Sequence, residues 1–195
     1  LIAVMDVGSR ALRLGIGEVI EDQPLRRLET LDAPVAIGVD TFSRGRIRAT
    51  TTEAVVRTLE DFGNVLRDYG LKPGDVRAVA TSAVRDATNR EVFLDRVEKR
   101  TGFQIEIVDA IEETRIAHQL VRHLIGPELD QGVVMLLAFG GGGTQLIVQK
   151  DAEIELAESR QFGILKLQEG PIEPALRAAR RFLPKVVRSI ARVHE

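Results

Sequence analysis

Four consecutive glycines, Gly140, Gly141, Gly142 and Gly143, interrupt an apolar run that resumes beyond Thr144 as a second strand-like segment (VVMLLAFGGGGTQLIVQK, residues 133–150). A glycine run lets the backbone turn sharply and come close to a ligand, and its unpaired N–H groups can cradle phosphate oxygens. A phosphate site that performs chemistry also needs a carboxylate, to hold a metal ion or to activate water. Here the flanking residues are Ala138, Phe139 and Gln145. A second turn, Asp6-Val7-Gly8-Ser9-Arg10, does carry an acid. Neither is a P-loop, because the lysine-hydroxyl pair that ends one is absent, and neither opens a helix as a dinucleotide fingerprint does. Taken alone, D-V-G-S is also what an ordinary strand-end turn looks like. Facing one another across a cleft, two such loops would grip a phosphorylated ligand from both sides.

The elements that must position these loops are legible from periodicity. Residues 1–7 read as a buried strand, 12–19 as a returning strand, and 25–37 as a third. After the cap-like cluster Thr50, Thr51, Thr52 and Glu53, the apolar positions Val55, Val56, Leu59, Phe62, Val65, Leu66 and Tyr69 recur at helical spacing until Gly70. A strand over 76–80, a helix over 90–100, a strand over 105–108 and a helix over 111–125 complete the order βββαβαβα. Gly126-Pro127 breaks this pattern. Strands are then expected at 133–138, 145–149 and 154–160, and helices at 164–168 and 175–193. Strand, glycine turn, strand, strand, helix thus occurs twice, as a duplicated supersecondary unit. The domains follow as 1–126 and 131–195.

Composition narrows the class. A chain of 195 residues with 44% hydrophobic and 29% charged residues reads as soluble and globular. No apolar run approaches the length of a membrane span, and no basic leader opens the chain. The absence of cysteine rules out disulfides and thiolate ligands, and the three histidines have no ligand spacing, so a reducing cytoplasm is the expected compartment. A net charge of −2 gives no global attraction to nucleic acid. Arg177, Arg180, Arg181, Lys185, Arg188 and Arg192 concentrate positive charge near the end, where a helix would carry them as a solvated face.

Four segments together are far more specific than either loop. They are the first turn; V-R-A-V-A-T-S-A-V-R-D-A over residues 76–87, with Asn89 following; Glu112-Glu113-Thr114-Arg115; and the glycine run. In this order and spacing they resemble the exopolyphosphatase and guanosine pentaphosphate phosphohydrolase (Ppx/GppA) family, a branch of the actin-like, ribonuclease H-like superfamily, from residue 1 to about 167. The resemblance implies an α/β fold: a ribonuclease H-like (actin-like ATPase) domain followed by the first half of a second. It implies removal of the terminal phosphate from polyphosphate or pppGpp, generally with magnesium. Position by position, Asp6 matches the aspartate near the metal, Gly8 and Ser9 the phosphate-holding turn, and Arg85 the phosphate-binding arginine. Glu112 or Glu113 matches the catalytic base. Gly140, Gly141 and Gly142, extended through Gly143 and Thr144, match the second phosphate loop. Each residue also suits a purely local role: Arg85 an ion pair with Asp86, the two glutamates a helix start, Thr81 and Ser82 a helix cap.

The chain departs from the family pattern at the second loop. Ala138 stands where the family has aspartate, Gln145 where it has glutamate, and Gly143 where it has serine; in the first loop, Arg10 and Ala11 replace asparagine and serine. Magnesium usually takes one or two carboxylates, so Asp6 and one glutamate are the ligands left to it. The loop can still hold an anion through its backbone, and Arg10 can bring some of the positive charge a metal would supply. Two readings follow: a phosphohydrolase of reduced activity, or a member that binds a phosphorylated ligand or partner and senses it. A second sheet without its last strands leaves an apolar edge, so the chain is expected to be a fragment or to meet a neighbour such as a second copy in a homodimer. The helix at 175–193, with Leu176, Ala179, Phe182, Leu183, Val186, Val187 and Ile190, should bury one face.

Overall fold

The computed structural model describes residues 1–194. Within the last helix the side chains at 175, 189, 190 and 192–194 lie outside the described set, and the expected positions Ile190 and Arg192 fall there. The chain divides into two compact units, Leu1–Val108 and Asp109–Glu195.

In the first unit β1 (Ile2–Val7), β2 (Ala11–Glu18) and β3 (Arg26–Pro34) form an antiparallel meander. The strands β4 (Val76–Ala80) and β5 (Ile105–Ile107) add in parallel, giving the order β3-β2-β1-β4-β5. Alternation sets the buried face: Ala3, Met5 and Val7 on β1 and Leu12, Leu14 and Ile16 on β2 are all buried, while Ile2 and Val4 point outward. The helix α1 (Ile37–Arg44) follows β3, and α2 (Ala49–Asp68) brings Val55, Val56, Leu59, Phe62 and Leu66 into the core. After α2, Gly70 takes the left-handed conformation (φ 72°), the expected stop. A four-residue helix α3 (Ser82–Arg85) and the longer α4 (Arg90–Thr101) complete the unit.

The second unit opens with α5 (Ala110–Ile125), then builds an antiparallel sheet of β6 (Val133–Phe139), β7 (Thr144–Lys150) and β8 (Glu153–Arg160) in that order. It closes with α6 (Ile164–Glu169) and α7 (Ile172–His194). Leu146, Val148, Phe162 and Phe182 form its core, with Leu156, Ala178, Ala179 and Val186 packed around them. Phe162 and Phe182 meet edge to face, with ring centroids 5.6 Å apart. Burying Phe182 alone contributes roughly 2 kcal/mol. Thus α7 lies across one face of the sheet, as its periodicity predicts.

Several expectations are corrected. The third strand, expected to run to residue 37, stops at Pro34, and Ile37 instead opens α1, where it is buried as a helical residue. Helix α7 begins before Pro174, since a proline in the first turn gives up no intrahelical donor. Of its expected apolar positions, Leu176, Leu183 and Val187 are exposed. Helix α5 packs on β7 and β8 within the second compact unit. Among the described residues no helix is long and apolar enough to cross a membrane.

Candidate functional site

The first loop is a tight hairpin closed by Gly8 N–H donating to the Ala11 carbonyl at 3.0 Å. Its carbonyls are held from the chain that enters α1: Gly38 N–H donates to Ser9 O (2.8 Å) and Val35 N–H to Arg10 O (3.0 Å). In a trans peptide the C=O and N–H point to opposite sides, so anchoring the Ser9 carbonyl directs the Arg10 N–H away from α1. Two residues before the turn, Asp6 stands opposite Arg13, and Arg13 stands opposite Asp32. Arg13 bridges the two carboxylates, at 3.5 Å from Asp6 and 2.7 Å from Asp32. Burial raises the Asp6 pKa above its ordinary value, and the Arg13 guanidinium offsets part of that rise. The Asp6–Arg13–Asp32 row has no signature in the linear sequence. It becomes visible only through strand register.

Arg85 lies just past the end of β4, which pairs with β1 so that Ala80 sits beside Val7. The hairpin and Arg85 are therefore at the same end of the sheet. Its guanidinium Nη1 donates to the Val108 carbonyl at 2.6 Å, and Nε is 3.9 Å from Asp86. Neither Thr81 nor Ser82 caps α3 with its side chain; the Thr81 carbonyl instead accepts the Val84 and Arg85 N–H groups. Asn89 pairs with both the N–H and the carbonyl of Ile47, each at 2.9 Å, as another strand's backbone would. Thr41 donates to the Ala83 carbonyl. The 81–89 segment is thus tied to the second half of α1 and to the turn that follows it, which fixes Arg85 against the sheet.

In the second unit the glycine loop repeats the first turn. Gly140 N–H donates to Gly143 O (2.8 Å), as Gly8 does to Ala11, and Lys166 N–H donates to Gly141 O (2.9 Å), as Gly38 does to Ser9. Ile164 N–H holds the Gly140 carbonyl at 3.0 Å. With both carbonyls drawn toward α6, the N–H groups of Gly141 and Gly142 face the other way, side by side. Among the described residues these two donate no backbone hydrogen bond. Gly163 makes the clamp possible: a Cβ there would stand 2.5 Å from the Gly141 carbonyl group. Thr144 is fully buried and spends its hydroxyl on the Phe162 carbonyl.

The two glutamates at the start of α5 part company. Asp109 caps the helix by accepting from Ile111 and Glu112 N–H, each at 2.8 Å. Glu112 grips Arg115 through both carboxylate oxygens, at 2.7 and 2.6 Å. Glu113 instead accepts from the Gln145 side-chain amide at 3.0 Å. Gln145 is buried one residue beyond Thr144, and its strand partner is Ala138. The structure therefore joins Glu113 to the strand that leaves the glycine loop. Gln145, legible in the sequence only as a missing acid, is the contact that makes the join.

A five-stranded mixed sheet whose antiparallel meander opens on a tight glycine hairpin, followed by a second copy of that meander, defines the actin-like, ribonuclease H-like α/β fold. Residues 20–190 match the Ppx/GppA phosphatase family, and the chain belongs to that family. It is 29% identical over 166 residues to exopolyphosphatase 1 of Mycobacterium tuberculosis, covering 85% of this chain and 47% of that one. The chain spans about half the length of the curated relatives it matches. Among solved structures, the Aquifex aeolicus Ppx/GppA family member superposes with a TM-score of 0.72 at 27% identity, over 98% of this chain and 62% of that one. The exopolyphosphatase from Cytophaga hutchinsonii, at 24% identity, shares the fold with a TM-score of 0.77 over 86% of this chain and 52% of that one.

Proposed function

We propose that the chain carries the phosphate-gripping part of a Ppx/GppA-type phosphohydrolase that removes the terminal phosphate of inorganic polyphosphate or pppGpp in the cytoplasm. Its frame is read as one ribonuclease H-like domain and the N-terminal part of a second. The observation that carries this reading is the pair of adjacent, outward N–H groups at Gly141 and Gly142, on a loop whose outgoing strand holds a carboxylate. Two such donors suit a phosphoryl oxygen. The hairpin Gly8, Ser9 and Arg10 and the guanidinium of Arg85 supply further donors to a polyanion. Glu113 is the general base of this reading, taking the proton of the water that attacks the terminal phosphorus while the bridging oxygen leaves. Glu112, held by Arg115, orders the helix start.

Magnesium, which the family implies, finds few ligands here. Ala138 offers no donor, the Gln145 amide N–H points at Glu113, and Asp6 is bridged by Arg13. Among the described residues no three acidic or histidine side chains converge. This donor set does not fit a divalent ion, and no step is assigned to one. The same substitutions favour a second reading, a family member that binds a phosphorylated ligand or partner as a sensor without turning it over.

Phosphate release from polyphosphate and from pppGpp, with and without magnesium, separates the two. Turnover that Glu113→Gln abolishes and Glu112→Gln leaves within a few fold supports the hydrolase. Binding of both substrates without release supports the sensor. Failure to bind either one sinks both.

A further inference from the structure

Helix α7 concentrates charge against the balance of the chain. The protein as a whole has a net charge of −2, yet α7 carries Arg177, Arg180, Arg181, Lys185 and Arg188, all exposed, with Glu173 as its only acid. Steps of four, four and three residues lead from Arg177 through Arg181 and Lys185 to Arg188, which sets them on one stripe of the helix with Arg180 beside it. Ala178, Ala179, Phe182 and Val186 take the side that packs on the sheet, and the stripe is turned away from it. Lys185 stands at the border, with Nζ 3.4 Å from Glu158 Oε1 on β8.

Nothing within the helix accounts for this stripe. Arg177 is 3.9 Å from Glu173, and both side chains are well exposed. Among the described residues Arg180, Arg181 and Arg188 form no ion pair. None of the five cations stands in the last turn, where the helix dipole would favour one. Like charges three and four residues apart repel, and they cost the helix stability. Helix α2, of similar length, instead mixes Glu53, Arg57, Glu60, Asp61 and Arg67. An extended anion laid along α7 would relieve the repulsion.

We propose that this face of α7 binds a linear polyanion, and that its occupant is inorganic polyphosphate held through its internal phosphates. From Arg177 to Arg188 the stripe runs for about 16 Å along the axis, with a cation at every turn. Polyphosphate carries a negative charge on every phosphorus, so one chain can meet each cation in succession, and the planar guanidinium fork suits its oxygens. Single-stranded nucleic acid binds through aromatic platforms as well as charge. Helix α7 has one phenylalanine, Phe182, and no tyrosine or tryptophan, and Phe182 is buried. The stripe therefore offers charge without stacking, which is what a chain of phosphates without bases requires. This surface is distinct from the glycine loop, and only the choice of polyphosphate as the polyanion rests on the function proposed above.

The test titrates the full chain with long-chain polyphosphate and with tripolyphosphate over a range of salt concentrations. Arg177→Gln, Arg181→Gln and Arg188→Gln together are expected to weaken long-chain binding about tenfold or more, and to make the slope of log K against log salt shallower by about 2. Tripolyphosphate, held at the glycine loop, should stay within a few fold. Lysine at the same three positions keeps the charge and should keep the salt slope. Unchanged long-chain affinity in the glutamine variant, an equal loss for tripolyphosphate, or a single-stranded oligonucleotide of the same phosphate count bound as tightly as polyphosphate would each overturn the proposal. Long-chain binding that needs the three arginines, in a chain that binds no tripolyphosphate, would uphold it and remove the glycine-loop reading instead.

Discussion

Asp6 is a carboxylate kept where water would serve it better. Burial raises its pKa above 3.8, so between that value and its raised pKa the folded chain binds more protons here than the unfolded chain does. The contribution of this group to stability is therefore complete at pH below 3.8 and is lost as pH rises through the folded-state pKa. Asp6→Asn is expected to melt higher than the parent at pH 7, with the difference vanishing near pH 3, as thermal melts across that range would show. A residue that costs stability at working pH is of the kind found at functional sites. Arg85 tests the same end of the sheet. Arg85→Ala should weaken tripolyphosphate binding by about 1.5 to 3 kcal/mol, the scale of a charge-assisted hydrogen bond. Arg85→Lys should recover only part of it, because lysine has no planar fork. Calorimetric titration reads both, and unchanged affinity in the alanine variant would remove Arg85 from the site.

At the scale of elements, what could be read in the sequence depended on how regular each element is. Helix α2 was legible because seven apolar positions keep the 3.6-residue period, and β4 because a short apolar run lies between turn residues. Helix α1 was hidden: eight residues cannot establish a period, and Val35 and Ile37 extend the alternation of β3. The T-S-A-V-R-D-A segment was recognisable as a signature, yet its physical work, Asn89 bridging to Ile47 and Thr41 to Ala83, joins residues 42 apart and has no local trace. Nor does the sequence show that Glu113 meets Gln145, a residue 32 positions further on. Gly163 is the sharpest case. It reads as an ordinary helix-start glycine, but it is the point where α6 presses on the glycine loop. Gly163→Ala should cost about 2 to 4 kcal/mol in urea unfolding, from overpacking against backbone that has no rotamer to yield. A loss below 0.5 kcal/mol would mean that the clamp is loose.

For the molecule as a whole, the two units share one hairpin design but differ in how far apart in the chain their partners lie. In the second sheet every pairing joins consecutive strands, β6 to β7 and β7 to β8. In the first, β1 also pairs with β4, so Ala3 must find Val76 across α1 and α2. Closing a loop of that length costs entropy before any contact repays it, and non-local pairing slows folding. The order in which the units acquire structure should follow. In refolding followed by pulsed hydrogen exchange, amides of β7 are expected to gain protection before those of β4, and Ala78→Gly should delay β4 with little effect on β7. Since β1 precedes β4 in the chain, the Asp6 hairpin would form first and would wait, until β4 joins it, without the sheet end that later fixes Arg85 beside it.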